Sequence, residues 1–325
     1  AKGWLVGDLN KGMKAMFIMM NGARLFVGIQ GIGLSETAYQ SALHYAKERL
    51  QGKLPESQNI ADPIIVHPEI RKNLMYMKSV NDGIRGLMLK AGNAFDIIDS
   101  DQTSKLSQTS ENLIALLTPI LKSFATDKAL EITNNALQIY GGHGYITDHG
   151  MEQLVRDARI LPIYEGTNGI QALDLIGRKF NIHDGQIIND YLGEIEGFLI
   201  ANDDDQNMQK FIELFKSSFI DLKDCVDFIR QIDTKNTKEI NAHAMDFLNI
   251  FALVAVGYTW LQFIKVSQDK IKEKNDPFYL SKIQLGEFFM TKVIFETKRF
   301  KNNIYSSGNL YNHFSDNYFE TGSLQ

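Results

Sequence analysis

The sequence contains very little cysteine and no excess of basic residues. Cys225 is the single cysteine among 325 residues, which excludes an intrachain disulfide and a cysteine-based metal cluster. A reducing compartment fits this best, so we expect the bacterial cytoplasm or, in a eukaryote, the mitochondrial matrix. The formal net charge of −5 provides no basic field that would attract nucleic acid or anionic lipid. We therefore expect no partner of either class.

Proline is also scarce, with six residues in the whole chain. The apolar positions repeat mainly at three and four residues, so the sequence predicts an all-α fold. The longest stretch without a charged residue, Phe247–Ile264, reaches the lower length limit of a membrane span. Because polar residues and a glycine interrupt it, we expect a buried helix of a bundle and no membrane span.

Proline and glycine positions predict the ends of the first helices. One helix is predicted from Gly12 to Leu50, before a loop that contains Gly52 and Pro55. A second is predicted to start at Pro68 and to end near Ile98.

Thr118–Pro119 gives the same signal for the start of a third helix. Thr118 is its predicted N-cap and Tyr140 its last residue, because a glycine-rich run follows. The polar residues 100–110 are then predicted to form a surface loop or a frayed turn.

The two ends of the chain are predicted to belong to further domains. Within residues 1–10, residues 3–8 are predicted to be extended, and the sequence opens on neither a methionine nor a leader pattern. We expect these residues to be the remnant of a β-domain that lies upstream. The polar residues 181–185 are the predicted boundary between a helical domain at 11–182 and a second one at 186–325. The second domain is predicted to contain four helices, near 187–201, 206–231, 238–273 and 278–305.

The block most informative about chemistry runs from Gln138 to Gln171. It contains the glycine-dense segment Gly141-Gly142-His143-Gly144 and, later, Glu165 between apolar residues. A carboxylate in apolar surroundings is a stronger base toward a weakly acidic C–H bond. By pattern alone, however, a glycine run after a helix is more often a C-cap than a phosphate cradle. A lone glutamate such as Glu165 is likewise more often a solvated residue at a helix start.

The same block resembles the signature of the acyl-CoA dehydrogenase family, in which Gln, Gly-Gly, Arg-Asp-Ala and Ile-Tyr-Glu-Gly-Thr occur in this order. Further landmarks of the family's C-terminal helical domain are Trp4-Leu-Val-Gly, Met-Asn-Gly-Ala-Arg24 and Tyr45-Ala-Lys-Glu-Arg49. The resemblance covers roughly residues 3–180. The variants Glu-Arg-Leu-Gln-Gly and Glu-Gly-Thr-Asn-Gly are similar to a branch that includes 3-methylmercaptopropionyl-CoA dehydrogenase. An appended C-terminal helical domain is typical of that branch.

The resemblance implies a role for Glu165 as the base that takes the α-proton of an acyl-CoA thioester. The β-hydrogen then leaves as hydride to the flavin of FAD, which gives a trans-2-enoyl-CoA. In the family, the flavin ribityl chain and a backbone N–H near the base hydrogen-bond the thioester carbonyl, so that the developing enolate is stabilised. The backbone N–H of Glu165 matches that donor.

The resemblance also implies binding residues. Arg49, Gln51, Gln138, Gly141 and Gly142 match positions that contact FAD across a subunit interface, and Thr167 matches a flavin-side position. Arg24, Tyr164 and Gly166 match the substrate pocket.

Structural alternatives exist for three of these residues. Arg49 can complement a helix dipole, Thr167 can be an N-cap, and Arg24 can form an ion pair within a helix. His143 and His149 lack a third ligand at a recognisable spacing, so no metal is expected and a surface or cofactor-edge role is favoured.

The expected partners are an acyl-CoA substrate, an electron-transferring flavoprotein as acceptor, and further copies in a homodimer or homotetramer. This stretch of chain by itself is expected to be inactive and to hold FAD weakly. Two alternatives stay open. One is an acyl-CoA oxidase, and the other is a non-catalytic assembly module or nucleic-acid-binding flavoprotein of the same fold.

Overall fold

The chain folds into two compact units, Ala1–Asn168 and Gly169–Gln325, in a computed structural model that describes residues 1–100, 104–306 and 308–320. The predicted all-α class is confirmed. Within these described ranges the regular structure is helical, with one isolated β-bridge between Leu50 and Pro63 and no strand.

The first unit is built around three long helices. Its helices are α1 (Gly12–Glu48), α2 (Pro68–Ser100), α3 (Lys105–Tyr140), α4 (Gly142–Tyr145) and α5 (Met151–Ile160), with α6 (Asn168–Leu173) starting at its last residue. The predicted start of α2 at Pro68 and end of α3 before Gly141 are confirmed. Helix α1 packs against α2 and α3, and Val27, Ala129 and Leu161 form a buried apolar cluster between the elements. Most of the candidate site lies in the segments that directly follow α1, α3 and α5.

The predicted helix start at Thr118–Pro119 is wrong, because α3 begins 13 residues earlier, at Lys105. Ser104 is the N-cap, and its hydroxyl accepts from the Ser107 backbone N–H at 3.1 Å. Thr118 is buried inside the helix and donates its hydroxyl to the Ile114 carbonyl at 2.7 Å. Burial of the apolar residues on both sides of Pro119 outweighs the local cost of a proline inside a helix. Residues 104–110 are therefore not a loop, and residues 101–103 lie outside the described part.

The ends of the first unit differ in part from expectation. Residues 3–8, predicted to be extended, form no strand and lead into a bend and a turn before α1. Their membership of an upstream β-domain stays a prediction. The compact units divide at Asn168, before the domain boundary predicted at 181–185. Residues 169–185 group with the second unit because Phe180 packs edge-on against Phe247, with ring centroids 5.6 Å apart.

The second unit is a helical bundle around one very apolar helix. Its helices are α7 (Gln186–Ala201), α8 (Gln206–Gln231), α9 (Thr237–Ala242), α10 (Ala244–Glu273), α11 (Pro277–Phe288), α12 (Glu296–Tyr305) and α13 (Asn309–His313). The third helix predicted for this part of the chain is split at His243, and the fourth is interrupted by a short π-helix at Phe289–Val293. In the described residues, α10 alone is long and apolar enough to cross a membrane, and 83% of its most apolar window is buried. That burial is typical of the core helix of a bundle.

Alanine substitutions at two glycines of α1 are expected to change the stability in opposite directions. A Cβ added at Gly31 would lie 2.9 Å from the Ala125 carbonyl oxygen on α3, whereas a Cβ at Gly33 meets no atom within 4 Å. Gly31→Ala is therefore expected to lower the free energy of unfolding by about 1–3 kcal/mol, because α1 and α3 must separate. Gly33→Ala, its matched control, is expected to raise it by roughly 0.5–1 kcal/mol. Urea denaturation followed by circular dichroism measures both, and equal stabilities would contradict the close approach.

Candidate active site

A cavity of about 560 Å³ lies in the first unit, at the end of α1 and beside the end of α3. It brings together five of the six residues that the sequence predicts to bind a cofactor, although these come from segments almost ninety positions apart. They are Arg49, Gln51, Gln138, Gly141 and Gly142.

The segment that carries Arg49 is held in place by backbone hydrogen bonds. Helix α1 ends at Glu48, and the extended Arg49 donates its backbone N–H to the Tyr45 carbonyl at 2.8 Å. The Arg49 carbonyl then accepts from the Ile64 N–H at 2.8 Å, and the Gln51 N–H donates to the Asp62 carbonyl at 3.0 Å. This short antiparallel pairing fixes where both side chains enter the cavity.

The loop between these paired segments is organised by the Asp62 carboxylate. Asp62 accepts hydrogen bonds from the Ser57 hydroxyl at 2.7 Å, the Asn59 amide at 2.7 Å and the Leu54 backbone N–H at 2.9 Å. These bonds hold the pKa of Asp62 below its usual range. The loop is therefore cross-linked by its own polar groups, and the residues at its two ends, Gly52 and Ile64, line the cavity.

Aromatic side chains form another wall of the cavity. The sequence had indicated no role for Tyr45 and Tyr140 and had favoured a surface or cofactor-edge role for His143. The rings of Tyr45 and Tyr140 are stacked with centroids 4.1 Å apart, and the Tyr45 hydroxyl lies 2.8 Å from Nδ1 of His143. His143 in turn stacks on His149 at 4.9 Å. Their sequence signal was their position: Tyr45 lies one turn before Arg49, and Tyr140 directly precedes the glycine run.

The glycine run both ends α3 and opens into the cavity. Gly141 has φ +59°, and its N–H donates to the Gln138 carbonyl at 3.0 Å, so the C-cap interpretation is correct. At Gly142 the backbone φ is ordinary and an added Cβ would meet no protein atom within 4 Å. Packing within the described chain therefore does not require glycine at position 142.

Glu165 lies in a separate place, in the loop Leu161–Thr167 between α5 and α6. Its backbone has φ +54°, and Gly166 follows with φ +85°. A left-handed conformation is uncommon for a residue with a side chain and persists only where the surroundings enforce it. The Glu165 and Gly166 residues are half-buried, and Thr167 is exposed directly before α6. The N-cap role of Thr167 stays a prediction.

Tyr164 attaches this loop to α1. Its ring packs against the buried cluster of Val27, Ala129 and Leu161, and its hydroxyl donates to the side-chain oxygen of Gln30. Tyr164 therefore helps to hold the neighbouring Glu165, whatever its further role toward a substrate.

Lys122 attaches the same loop to α3, and no sequence pattern had indicated it. Its side chain is completely buried, and Nζ donates to the Leu161 carbonyl and to Oδ1 of Asn168, each at 2.9 Å. Burial lowers the pKa of Lys122 to about 8; Asp127 and Glu165 oppose this shift, whereas the charge of Arg24 adds to it. Arg24 is itself buried on α1. Arg24 and Glu165 thus both lie within electrostatic reach of Lys122.

The profile of the family described as "Acyl-CoA dehydrogenase, C-terminal domain" matches residues 10–180, and that of "Acetyl-CoA dehydrogenase C-terminal like" matches residues 191–310. A 3-methylmercaptopropionyl-CoA dehydrogenase of Ruegeria pomeroyi is 43% identical over 180 residues, which are 55% of this chain and 30% of that protein. A butyryl-CoA dehydrogenase of Syntrophomonas wolfei is 29% identical over 90% of this chain and 50% of its own length. The chain thus spans half or less of these relatives.

Solved structures support the fold. A crystal structure of an acyl-CoA dehydrogenase complexed with FAD from Bacillus anthracis matches with a TM-score of 0.74 at 18% identity. The match covers 95% of this chain and 52% of that one. At this identity the likeness concerns the fold alone.

Proposed function

The chain belongs to the acyl-CoA dehydrogenase family, and from this membership and the geometry of the Glu165 loop we propose that it forms part of a FAD-dependent acyl-CoA dehydrogenase. Glu165 is the base that removes the α-proton of the acyl-CoA thioester. The observation that carries the proposal is the backbone at Glu165, held left-handed within the Ile-Tyr-Glu-Gly-Thr segment. A glutamate on an ordinary exposed helix start would not need that conformation.

The residues around Glu165 have distinct roles in the proposed reaction. The α-proton of a thioester is weakly acidic, so the base must be oriented and the enolate charge stabilised as it forms. We assign the stabilising N–H to the Glu165 backbone. Gly166 lets the substrate approach closely because it has no side chain. Tyr164 and the buried Arg24 support the wall of the substrate pocket.

The cavity near Arg49 fits the phosphate-containing end of FAD. Its volume of about 560 Å³ lies within the usual range of ligand pockets. The Arg49 guanidinium suits a diphosphate, the amides of Gln51 and Gln138 offer hydrogen bonds, and the open space at Gly142 leaves room for a ligand. When bound, FAD supplies the acceptor for the β-hydrogen of the substrate. Thr167 is assigned to the flavin side.

The remaining partners follow from the same proposal. The segments that this chain lacks relative to its relatives would contribute the rest of the cofactor and acyl pockets, so the chain alone is expected to hold FAD weakly. The exposed Arg49 would reach FAD of a neighbouring copy, which makes a homodimer or homotetramer part of the proposal. An electron-transferring flavoprotein is the proposed acceptor, in the bacterial cytoplasm or the mitochondrial matrix.

The test of the proposed reaction uses the polypeptide that carries this chain together with the segments present in its relatives. Anaerobic addition of acyl-CoA thioesters is expected to bleach the visible absorbance of the oxidised flavin. Bleaching followed by peroxide formation in air, without an added acceptor, would instead identify an oxidase. Absence of bleaching with every acyl-CoA tried would contradict catalysis of this class.

Arg49 should contribute measurably to FAD affinity. Arg49→Met is expected to weaken FAD binding by about 10–100-fold in that flavoprotein, because a charge-assisted hydrogen bond to phosphate contributes roughly 1.5–3 kcal/mol. Lys47→Met is the matched control, since it removes the same charge two residues away on the exposed face of α1, outside the cavity lining. Equilibrium dialysis with FAD measures both. An equal loss of FAD affinity in the two variants would mean that Arg49 acts only through its general positive charge.

A further inference from the structure

We propose that Lys122 is a positioning residue for Glu165, because its buried amino group joins the two ends of the loop that carries the base. The inference rests on the proposed function. Nζ bonds the carbonyl of Leu161, the first residue of the loop, and the side chain of Asn168, the residue that follows its end. Glu165 lies between these two anchors.

The Asn168 anchor is itself fixed on α3, so the loop cannot shift without breaking several bonds. The Asn168 amide nitrogen lies 2.8 Å from Asp127 Oδ1, 3.0 Å from the Thr126 hydroxyl and 3.1 Å from the Ser123 carbonyl, and its two N–H groups donate to acceptors of this set. Its backbone N–H donates to the Pro162 carbonyl at 3.0 Å, which closes the loop on itself. Lys122 is thus the central donor of a polar network that joins the two ends of the loop carrying Glu165.

A fully buried lysine is costly, and its acceptors explain why this one is tolerated. An amino group removed from water must find hydrogen-bond acceptors, and without Lys122 the Leu161 carbonyl and the Asn168 oxygen would each lose a partner. The carboxylates of Asp127 and, to a smaller extent, Glu165 also stabilise the charged form of Lys122. The two hydrogen bonds couple the lysine to the conformation of the loop.

Position matters because the loop holds Glu165 in a left-handed conformation that the free chain disfavours. The anchors supply the constraint that keeps it there. A base displaced by about 1 Å can lose about 10²-fold in rate. Loss of Lys122 is therefore expected to slow proton removal more than it weakens the binding of FAD, because all of the proposed FAD contacts except Thr167 lie in the Arg49 cavity.

The experiment compares two buried lysines of α3. Lys128 is 9% exposed, and its amino group donates to the Tyr76 hydroxyl and the Glu131 carboxylate instead of the loop. In this chain, Lys122→Met is expected to increase amide hydrogen exchange at residues 163–167 by at least about tenfold, and Lys128→Met is not. In the flavoprotein, Lys122→Met is expected to slow flavin reduction about 10²-fold, with a much smaller loss of FAD affinity. Lys128→Met should retain the wild-type rate.

Three further variants keep the proposal falsifiable if Lys122→Met folds poorly. Asn168→Ala removes one anchor and should slow flavin reduction in the same direction. The double variant should lose less than the product of the two single effects, because both act on one network. Lys122→Gln retains two N–H donors and should recover part of the rate.

The outcomes separate this inference from the proposed function. Unchanged exchange at residues 163–167 in Lys122→Met, or a wild-type rate of flavin reduction, would overturn the positioning role. If wild-type flavoprotein is not reduced by any acyl-CoA, the proposed function fails, and the role of Lys122 in catalysis fails with it. The exchange experiment would still decide whether Lys122 holds the loop.

Discussion

Glu165→Gln is expected to slow the reduction of flavin by acyl-CoA by about 10²–10⁴-fold, the usual cost of losing a general base. Glutamine has nearly the same shape and retains a side-chain oxygen, so the loop can keep its conformation. It cannot accept the α-proton at neutral pH. Affinity for FAD and for acyl-CoA is expected to change little, which localises the loss to the chemical step.

Rapid-mixing measurement of flavin absorbance gives the rate, and Glu131→Gln is the matched control. Glu131 is a partly exposed glutamate of α3 that pairs with Lys128, outside the Glu165 loop. The same substitution there should leave the rate of flavin reduction unchanged. Normal flavin reduction by Glu165→Gln would refute the assignment of the base, even if the family assignment stands.

The candidate site could be predicted from the sequence only where it follows ordered motifs. Composition and spacing identified only the Glu165 carboxylate beside Gly166, and the family resemblance implied that it removes an α-proton. Spacing alone could not show that Arg49 and Gln138 line one cavity, because that contact depends on how α1 packs against α3. The cofactor roles of these residues stay predictions.

Lys122 shows why part of the site could not be predicted from the sequence. A lysine within an apolar helix stripe usually reaches water at the helix edge. Here it is completely buried because its acceptors, Leu161 and Asn168, lie 39 and 46 residues further along the chain. The error at Thr118–Pro119 has the same origin, since tertiary packing overrides a local signal in both cases.

Helix boundaries in the second unit were predictable except where packing interrupts a helix. The ends of α7 and α8 agree with the prediction to within one residue, because apolar periodicity and polar connections mark them. The short π-helix at Phe289–Val293 contains no glycine or proline, and three of its five residues are buried. A π-helical segment changes which side chains face the core, so its position depends on packing against neighbouring helices rather than on helix propensity.

The core role of α10 leads to a large stability effect. Trp260 is completely buried, and an added Cβ at Gly286 on α11 would lie 3.1 Å from its ring. Trp260→Ala would therefore leave a large cavity, and we expect it to lower the free energy of unfolding by about 3–5 kcal/mol.

Trp4, the other of the two tryptophans, is the matched control because it is 84% exposed. Trp4→Ala should change the stability of this chain by no more than about 0.5 kcal/mol. Urea denaturation followed by circular dichroism compares the variants. In Trp4→Ala, the remaining Trp260 should also be shielded from a soluble fluorescence quencher until the protein unfolds.

If Trp260→Ala were as stable as wild type, or Trp260 were readily quenched in the native state, the apolar face of α10 would not be packed inside the bundle. The interpretation of α10 as a core helix would then be wrong.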